Sequence, residues 1–302
     1  MMNVFKTKKR KRLGALNVIL LVVLSFYALS LVVLLLWGLS TSLKTLDDFY
    51  GNKIWLPSGS ILTWGWDNYT YVLQNFAIEL RDPQVGIIRV NMFGQAVNTI
   101  IYTVGTTLAS TACCCLMSYL SAKFDYPFSK FLYTLVVIVM IIPIVGNTPS
   151  MLLLLKRTNL YDNWLGTFIM RFTFGGVYFL IFHGVWEGIS SEYAEAATID
   201  GANEFQIFFV IMLPLVRTTI YTVFLITFIG HWNEYNWALM YMPTHPTLAY
   251  GVYHLSVTST PGMSYAPMRM VACVILALPI TIIFIIFREK LIGNATAGGV
   301  KE

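Results

Sequence analysis

The sequence predicts an all-α membrane protein of six transmembrane helices, and three observations carry that prediction. Apolar side chains make up 57% of the 302 residues, charged ones only 12%, and the mean hydropathy is +0.66. A soluble domain carries about 25% charge, so this composition belongs in a bilayer. The apolar residues gather into six segments, at about residues 16–39, 96–120, 131–154, 168–187, 216–240 and 267–287. Each can cross roughly 30 Å of hydrocarbon as a helix. Lys6, Lys8, Lys9, Arg10, Lys11 and Arg12 stand just before the first segment, where a basic cluster marks the cytoplasmic side.

That first segment is too long for a signal-peptide core and lacks a small-residue cleavage site, so it reads as a retained helix. The connection over residues 41–95 then faces outward. Trp55, Pro57, Trp64, Trp66, Tyr69 and Tyr71 lie in it, and aromatic rings there suit the headgroup level better than a ligand. Residues 67–80 read as a short amphipathic helix at the outer surface. The second segment contains Cys113, Cys114 and Cys115, and Cys273 lies alone in the sixth. Adjacent cysteines point different ways around a helix and lack zinc-ligand spacing, so they read as small buried side chains.

Gly105, Pro143, Gly175, Gly176, Gly230 and Pro279 lie inside the apolar segments, where neighbouring helices can satisfy disturbed backbone groups, or where these residues mark close packing or kinks. Lys123 and Lys130 fall on a cytoplasmic turn. Six crossings return the C-terminus, with Arg288, Lys290 and Lys301, to the side where the chain began. No internal repeat or tethering linker is evident, so the chain reads as one membrane domain. Its boundaries are a basic cytoplasmic N-terminus at 1–15, the first transmembrane helix and outer loop at 16–92, a core at 93–287 and a cytoplasmic tail at 288–302. The charge of +5 calls for no nucleic-acid partner, because six of the twenty basic residues sit in the N-terminal cluster.

The most informative stretch is the polar island between the fourth and fifth segments. Ser190 or Ser191 can cap a short helix there, on which Glu192 and Glu195 share a face. Ala196 and Ala197 leave little bulk, so the helix can seat in a groove on another protein. Gly201 permits a turn after Asp200, and Pro214 limits how the next helix begins. By themselves these residues describe a capped helix between two spans.

The stretch Glu195-Ala196-Ala197, then Gly201, then Ile211-Met212-Leu213-Pro214 closely resembles the signature loop of ABC-importer permeases. Asn98-Thr99, Asp200-Gly201-Ala202, Trp232-Asn233-Glu234 and the tail from Thr296 to Lys301 extend the resemblance over about residues 93–302. Together they resemble the shorter, six-helix partner in carbohydrate-importer permeases of the maltose type. The chain departs from that pattern at His183, Ser190 and Ala194, often arginine, proline and glutamate there, which bears on particular contacts more than on the family.

The resemblance implies a type I ABC importer permease fold in a bacterial inner or cytoplasmic membrane. It implies that a coupling helix near 190–203, with Glu192, Glu195, Ala196, Ala197, Asp200, Gly201 and Pro214, docks on an ATPase. The partners it implies are a second homologous permease, two ATPase subunits, an extracellular solute-binding protein and a carbohydrate substrate, with membrane lipids around them. It also implies that the loop bearing His254, Ser256 and Gly262 reaches the binding protein, and that Thr296, Gly298, Gly299 and Val300 contact the ATPase pair. A flexible tail is the ordinary reading of that last stretch.

Trp232, Asn233 and Glu234 fall toward the outer end of the fifth segment, either solvated at the interface or on the translocation path as a core or outer gate element. Their aromatic face and hydrogen-bonding groups suit a sugar ring. No phosphate-binding Gly-x-x-x-x-Gly-Lys-Ser/Thr run is present, so the chain is expected to be no enzyme and to hold no cofactor, with ATP and Mg bound by the partner ATPase. An ion-coupled transporter needs ionisable groups along its spans, and here most charges fall between them. Import of another small polar solute, or a noncatalytic membrane scaffold, are the alternatives to sugar import.

Overall fold

The computed structural model describes residues 14–51, 54–82, 86–142, 146–258 and 260–295. The basic cluster at residues 6–12, Pro143 and the expected tail contacts Thr296, Gly298, Gly299 and Val300 lie outside them. The chain divides into two compact units. One takes α1 (Ala15–Ser42), the outer segment as far as Tyr71, and Tyr265–Val274. The other takes Val72–Ser264 and the rest of the last helix.

In the first unit, α1 is apolar on every side and exposes its leucines and valines all round, as a lipid-facing helix does. It ends where Thr41 and Ser42 become buried, and the outer segment folds onto that end through α2 (Leu46–Gly51), a 3₁₀ turn at Ile61–Thr63 and the start of α3 (Asp67–Asn75).

The connection between the first and second segments adds a short β-hairpin to the all-α fold. The amphipathic helix expected over 67–80 stops at Asn75, and β1 (Ala77–Asp82) pairs antiparallel with β2 (Gly86–Asn91), Ala77 opposite Asn91. Ile78 is buried while Glu79 is exposed, so the stretch has the period of two that a strand requires.

The second unit is organised around α4 (Met92–Lys123), which begins where Asn91 Oδ1 accepts the Gly94 N–H at 2.9 Å. Its inner face carries Gln95, Thr99, Thr103, Thr106 and Thr107, all fully buried. Small side chains let neighbours approach closely. Packed against it are α5 (Pro127–Ile141), α7 (Trp164–Arg171), α8 (Val177–Glu187) and α12 (Arg217–Trp232), with α6 (Thr148–Arg157) between α5 and α7 in the chain. The polar island folds as α9 (Glu192–Ile199), α10 (Glu204–Gln206), a π-helical turn at Ile207–Met212 and α11 (Leu213–Leu215). After α12 come α13 (Asn236–Tyr241), α14 (Leu248–Val257) and α15 (Ala266–Ala295).

Among the described residues, Ala15–Ser42, Met92–Lys123 and Ala266–Phe287 are long and apolar enough to cross a membrane alone. Glu204–Leu215 with Arg217–Trp232, bent by 74°, would make a fourth. The first, second and sixth expected segments are therefore continuous helices, whereas the third, fourth and fifth are divided. In the fourth the break runs from Phe172 to Gly176, which has φ +90°, a conformation that suits glycine. In the fifth it falls at Asn233, which ends α12. Pro279, by contrast, is carried inside α15 without ending it.

Candidate functional site

The island between α8 and α12 is a built element. Ser191 occupies the N-cap of α9 without a side-chain capping bond, while the Ser190 hydroxyl accepts the Glu192 N–H at 3.3 Å. The helix ends in a Schellman motif, in which the Ala202 N–H donates to the Ala197 carbonyl at 2.9 Å and the Gly201 N–H to that of Thr198 at 3.0 Å. The residue after the cap must be left-handed, and Gly201 has φ +84°. Asn203 and Gln206 then form a reciprocal capping box, each bonding the other's backbone N–H at 2.9 Å. The π-helical turn follows and runs into Pro214, which has no N–H for the carbonyl four residues back, so the widened turn lies where the α ladder is interrupted.

The island is rooted in the core beneath it. Tyr119 of α4 stands between Trp186 and Phe208, with ring centroids 5.1 and 4.7 Å away, and Ala197, Ile207 and Met212 pack in the same cluster. Trp186 Nε1 donates to the Cys115 carbonyl at 3.3 Å, and Lys123 Nζ to that of Ile189 at 2.5 Å. Of the two alanines expected to let the helix seat in a groove on another protein, Ala197 is buried in its own chain's cluster. Ala196 is exposed, as are Glu192, Glu195, Asp200 and Gly201.

Sequence reading missed the apolar members of this surface. Ile199 and Tyr193 on α9 are 86% and 54% exposed, and Phe205 on α10 is 77% exposed. Among the described residues, neither the Glu192 nor the Glu195 carboxylate has a hydrogen-bond or ion-pair partner. An open groove of about 330 Å³ begins at the end of α9, lined by Asp200, Gly201, Ala202, Gln206, Val210 and Ile211.

Trp232, Asn233 and Glu234 bond to different partners within the chain. Trp232 is buried, its Nε1 donating to the Leu276 carbonyl at 3.0 Å, and Asn233 Nδ2 folds back to the Ile229 carbonyl at 2.9 Å. Glu234 instead closes a polar triangle. Arg171 donates to it at 2.5 Å and to Tyr102 Oη at 2.8 Å, and Tyr102 donates to the second Glu234 oxygen at 2.8 Å. Trp237 lies over the Arg171 guanidinium, 4.1 Å from ring centroid to Cζ, and His231 Nδ1 stands 3.0 Å from Thr106 Oγ1 and 3.2 Å from Thr107 Oγ1. Arg171 lies inside the fourth expected span, and an arginine in an apolar run is a signal that a partner exists.

Asn98 Nδ2 donates to the Pro246 carbonyl at 3.1 Å, and Thr99 Oγ1 accepts the Leu248 N–H at 2.8 Å, which accounts for that motif as a tie between α4 and the start of α14. Residues expected as an outer loop are partly helical, for α14 carries His254 and Ser256, with Gly262 in a turn beyond it at φ +75°. Nearby, Asp162 Oδ1 lies 3.2 Å from His245 Nδ1 and accepts the Thr244 N–H at 3.3 Å. Burial would raise the Asp162 pKa, but the hydrogen bonds from His245 and Thr244 outweigh it and hold the carboxyl below its usual range. Among the described residues no cluster of histidine, cysteine and carboxylate groups could hold a metal ion.

Residues 115–292, more than half of the chain, match the family described as "Binding-protein-dependent transport system inner membrane component". The chain belongs to this family. It is a multi-pass permease component of an ABC import system and not an ATPase. Among its relatives is the arabinooligosaccharides transport system permease protein AraQ of Bacillus subtilis, 26% identical over 235 residues, or 78% of each chain. Another is the sulfoquinovosyl glycerol transport system permease protein SmoH of Agrobacterium fabrum, 25% identical over 272 residues, or 88% of this chain and 87% of that one. A chain of a bacterial ABC transporter involved in the import of the acidic polysaccharide alginate shares the fold, with a TM-score of 0.73, 20% identity and coverage of 92% of this permease and 99% of that chain.

Proposed function

We propose that this permease forms half of the translocation pathway for ATP-driven import of a sugar or oligosaccharide, and that α9 receives the motion of a separate ATPase. The observation that carries this reading is the island. Exposed carboxylates and apolar side chains occupy its outer surface, while Ala197, Ile207, Phe208 and Met212 root it against α4 and α8. A push on α9 therefore reaches the aromatic cluster and the bent helix pair behind Pro214 without passing through a flexible loop.

In this reading the chain crosses the membrane six times with both termini cytoplasmic, the divided third, fourth and fifth segments each counting as one crossing. A second permease completes the pathway, two ATPase subunits dock beneath, and an external binding protein delivers the solute to the outer face near α14. The tail at 296–300 reaches the ATPase pair, where ATP and Mg are bound. The two conformations must bind nucleotide-loaded ATPase or loaded binding protein unequally, since only differential contact shifts their populations.

Carbohydrate is favoured because relatives that match most of the chain are permeases for arabinooligosaccharides and sulfoquinovosyl glycerol. The test is uptake of labelled sugars into proteoliposomes holding this chain with the permease, ATPase and binding protein encoded beside it. ATP-dependent accumulation of an oligosaccharide supports the proposal. Accumulation of only a non-carbohydrate solute would overturn the substrate class, and its absence with every solute the binding protein retains would overturn the transport reading.

A further inference from the structure

The outer segment that follows α1 has its residues arranged the opposite way from a water-facing loop. Pro57, Gly65 and Asn68 are turned inward and buried, while Ile54, Trp55, Leu56, Ile61 and Leu62 are turned outward. Leu62 is 90%, Trp55 76% and Ile54 73% exposed.

The arrangement is fixed by the end of α1. Asn68 Nδ2 donates to the carbonyls of Ser42 and Lys44 at 2.9 and 2.8 Å, which caps the helix, and the Gly65 N–H donates to the Leu43 carbonyl at 2.7 Å. A Cβ at Gly65 would stand 2.8 Å from Asn68 Nδ2 and 3.1 Å from the Lys44 backbone, so a side chain there would have to push the capping amide aside. Ser40 Oγ reaches the Trp55 carbonyl at 3.4 Å, Asp48 accepts both the hydroxyl and the N–H of Ser58, and Trp66 Nε1 donates to the Ile61 carbonyl at 2.8 Å.

We propose that residues 54–62 are a lipid-inserted wedge, which beds Ile54, Trp55, Leu56, Ile61 and Leu62 into the headgroup and upper acyl region of the leaflet where α1 ends. Lipid is the occupant because the patch continues the surface of a membrane-spanning helix. Leu35, Leu36 and Leu39 of α1 are exposed within the last turns before Ser40, and the bonds from Ser40, Leu43 and Lys44 hold the segment at that level. A side chain fixed there lies at the boundary of the hydrocarbon, where tryptophan and large aliphatic groups partition favourably. Trp64, which sequence alone groups with the headgroup aromatics, is turned inward with its Nε1 buried, so the contact is made by the aliphatic residues and Trp55.

The test is nitroxide accessibility at Leu62→Cys and, separately, Ile54→Cys, in the full chain with Cys273→Ser, the exposed cysteine among the described residues. The protein is held in phosphatidylcholine and phosphatidylglycerol nanodiscs together with its partner subunits, and Glu79→Cys on β1 serves as the water-facing reference. Relaxation by oxygen several-fold above that by a water-soluble nickel chelate at both wedge sites, with the order reversed at Glu79, is the expected result. Greater relaxation by the nickel chelate at the wedge sites would place them in water and overturn the proposal. Low relaxation by both reagents would mean that a protein subunit covers them, and would overturn it equally. Benzoylphenylalanine at position 62 in native membranes is an independent check that needs no cysteine changes, with a lipid adduct expected and a protein adduct contradicting the assignment.

Discussion

The carboxylates of α9 and the carboxylate of Glu234 are set in opposite surroundings. Glu234 meets Arg171 and Tyr102 inside its own chain, with side-chain exposure of 27% for Glu234 and 22% for Arg171. Glu192 and Glu195 stand exposed and unpaired among the described residues, on the helix that also exposes Ile199. A charge removed from water is costly unless it is paired, which explains the polar triangle. A charge left in water beside exposed apolar side chains makes a surface that another protein can cover. The first arrangement holds this chain together, and the second is available to a partner.

The comparison breaks first at Arg171. Arg171→Ala leaves Glu234 part-buried without its cation and is expected to lower stability by about 3 kcal/mol. Thermal unfolding followed by tryptophan fluorescence in nanodiscs checks this, and the exchanged pair Arg171→Glu with Glu234→Arg should recover part of the loss. Unchanged stability in Arg171→Ala would mean that the triangle does not hold the bundle.

Gly201→Asp should act differently. A side chain at φ +84° costs about 1 kcal/mol, yet among the described residues nothing lies within 4 Å of the new Cβ, so folding survives. The added charge lies on the proposed docking surface, and uptake should fall while solute binding by the external protein is retained. Uptake, ATPase activity and complex recovery measured on one preparation distinguish uncoupling from failed assembly. Normal uptake with normal recovery would remove Gly201 from the docking surface.

How much of this was readable from the chain depended on range. Continuous apolar runs gave α1, α4 and α15, because run length is a local property. Gly175 and Gly176 stood out as a place for a kink in the fourth segment, whereas the break at Asn233 was hidden, since hydropathy reports a residue's preference for lipid and not the continuity of its helix. Arg171 was visible as a charge inside an apolar span, but its partner lies 63 residues away and only packing reveals it. The turn at Gly201 could be anticipated from its residue type. That Ala197 points inward while Ile199 points outward required the phase of the helix against Trp186 and Phe208.

A smaller effect belongs to the tie between Asp162 and His245. The depressed Asp162 pKa means that its contribution is fully present above the unfolded carboxylate pKa of about 4 and is lost as pH falls through the lower folded value. Asp162→Asn should cost about 1 kcal/mol at neutral pH, and less as the medium is acidified below about pH 4. Unfolding of both proteins across that range checks the sign. A gap that widens on acidification would show that the tie does not depend on the carboxylate.

The smallest effect on stability is expected at Glu195, where Glu195→Gln should change unfolding by no more than about 0.5 kcal/mol while uptake falls. The contrast between Glu195→Gln and Arg171→Ala sharpens the division between the two regions. A large loss of stability in Glu195→Gln would erase it.

The most direct measurement of the central claim is photocrosslinking from benzoylphenylalanine at Ile199, the exposed apolar residue at the end of α9, in the assembled transporter in native membranes. An adduct with the ATPase subunit whose yield changes between nucleotide-free and nucleotide-trapped states is the result expected if α9 transmits ATPase motion. A crosslink only to lipid or to external protein, or an ATPase adduct indifferent to nucleotide, would contradict it.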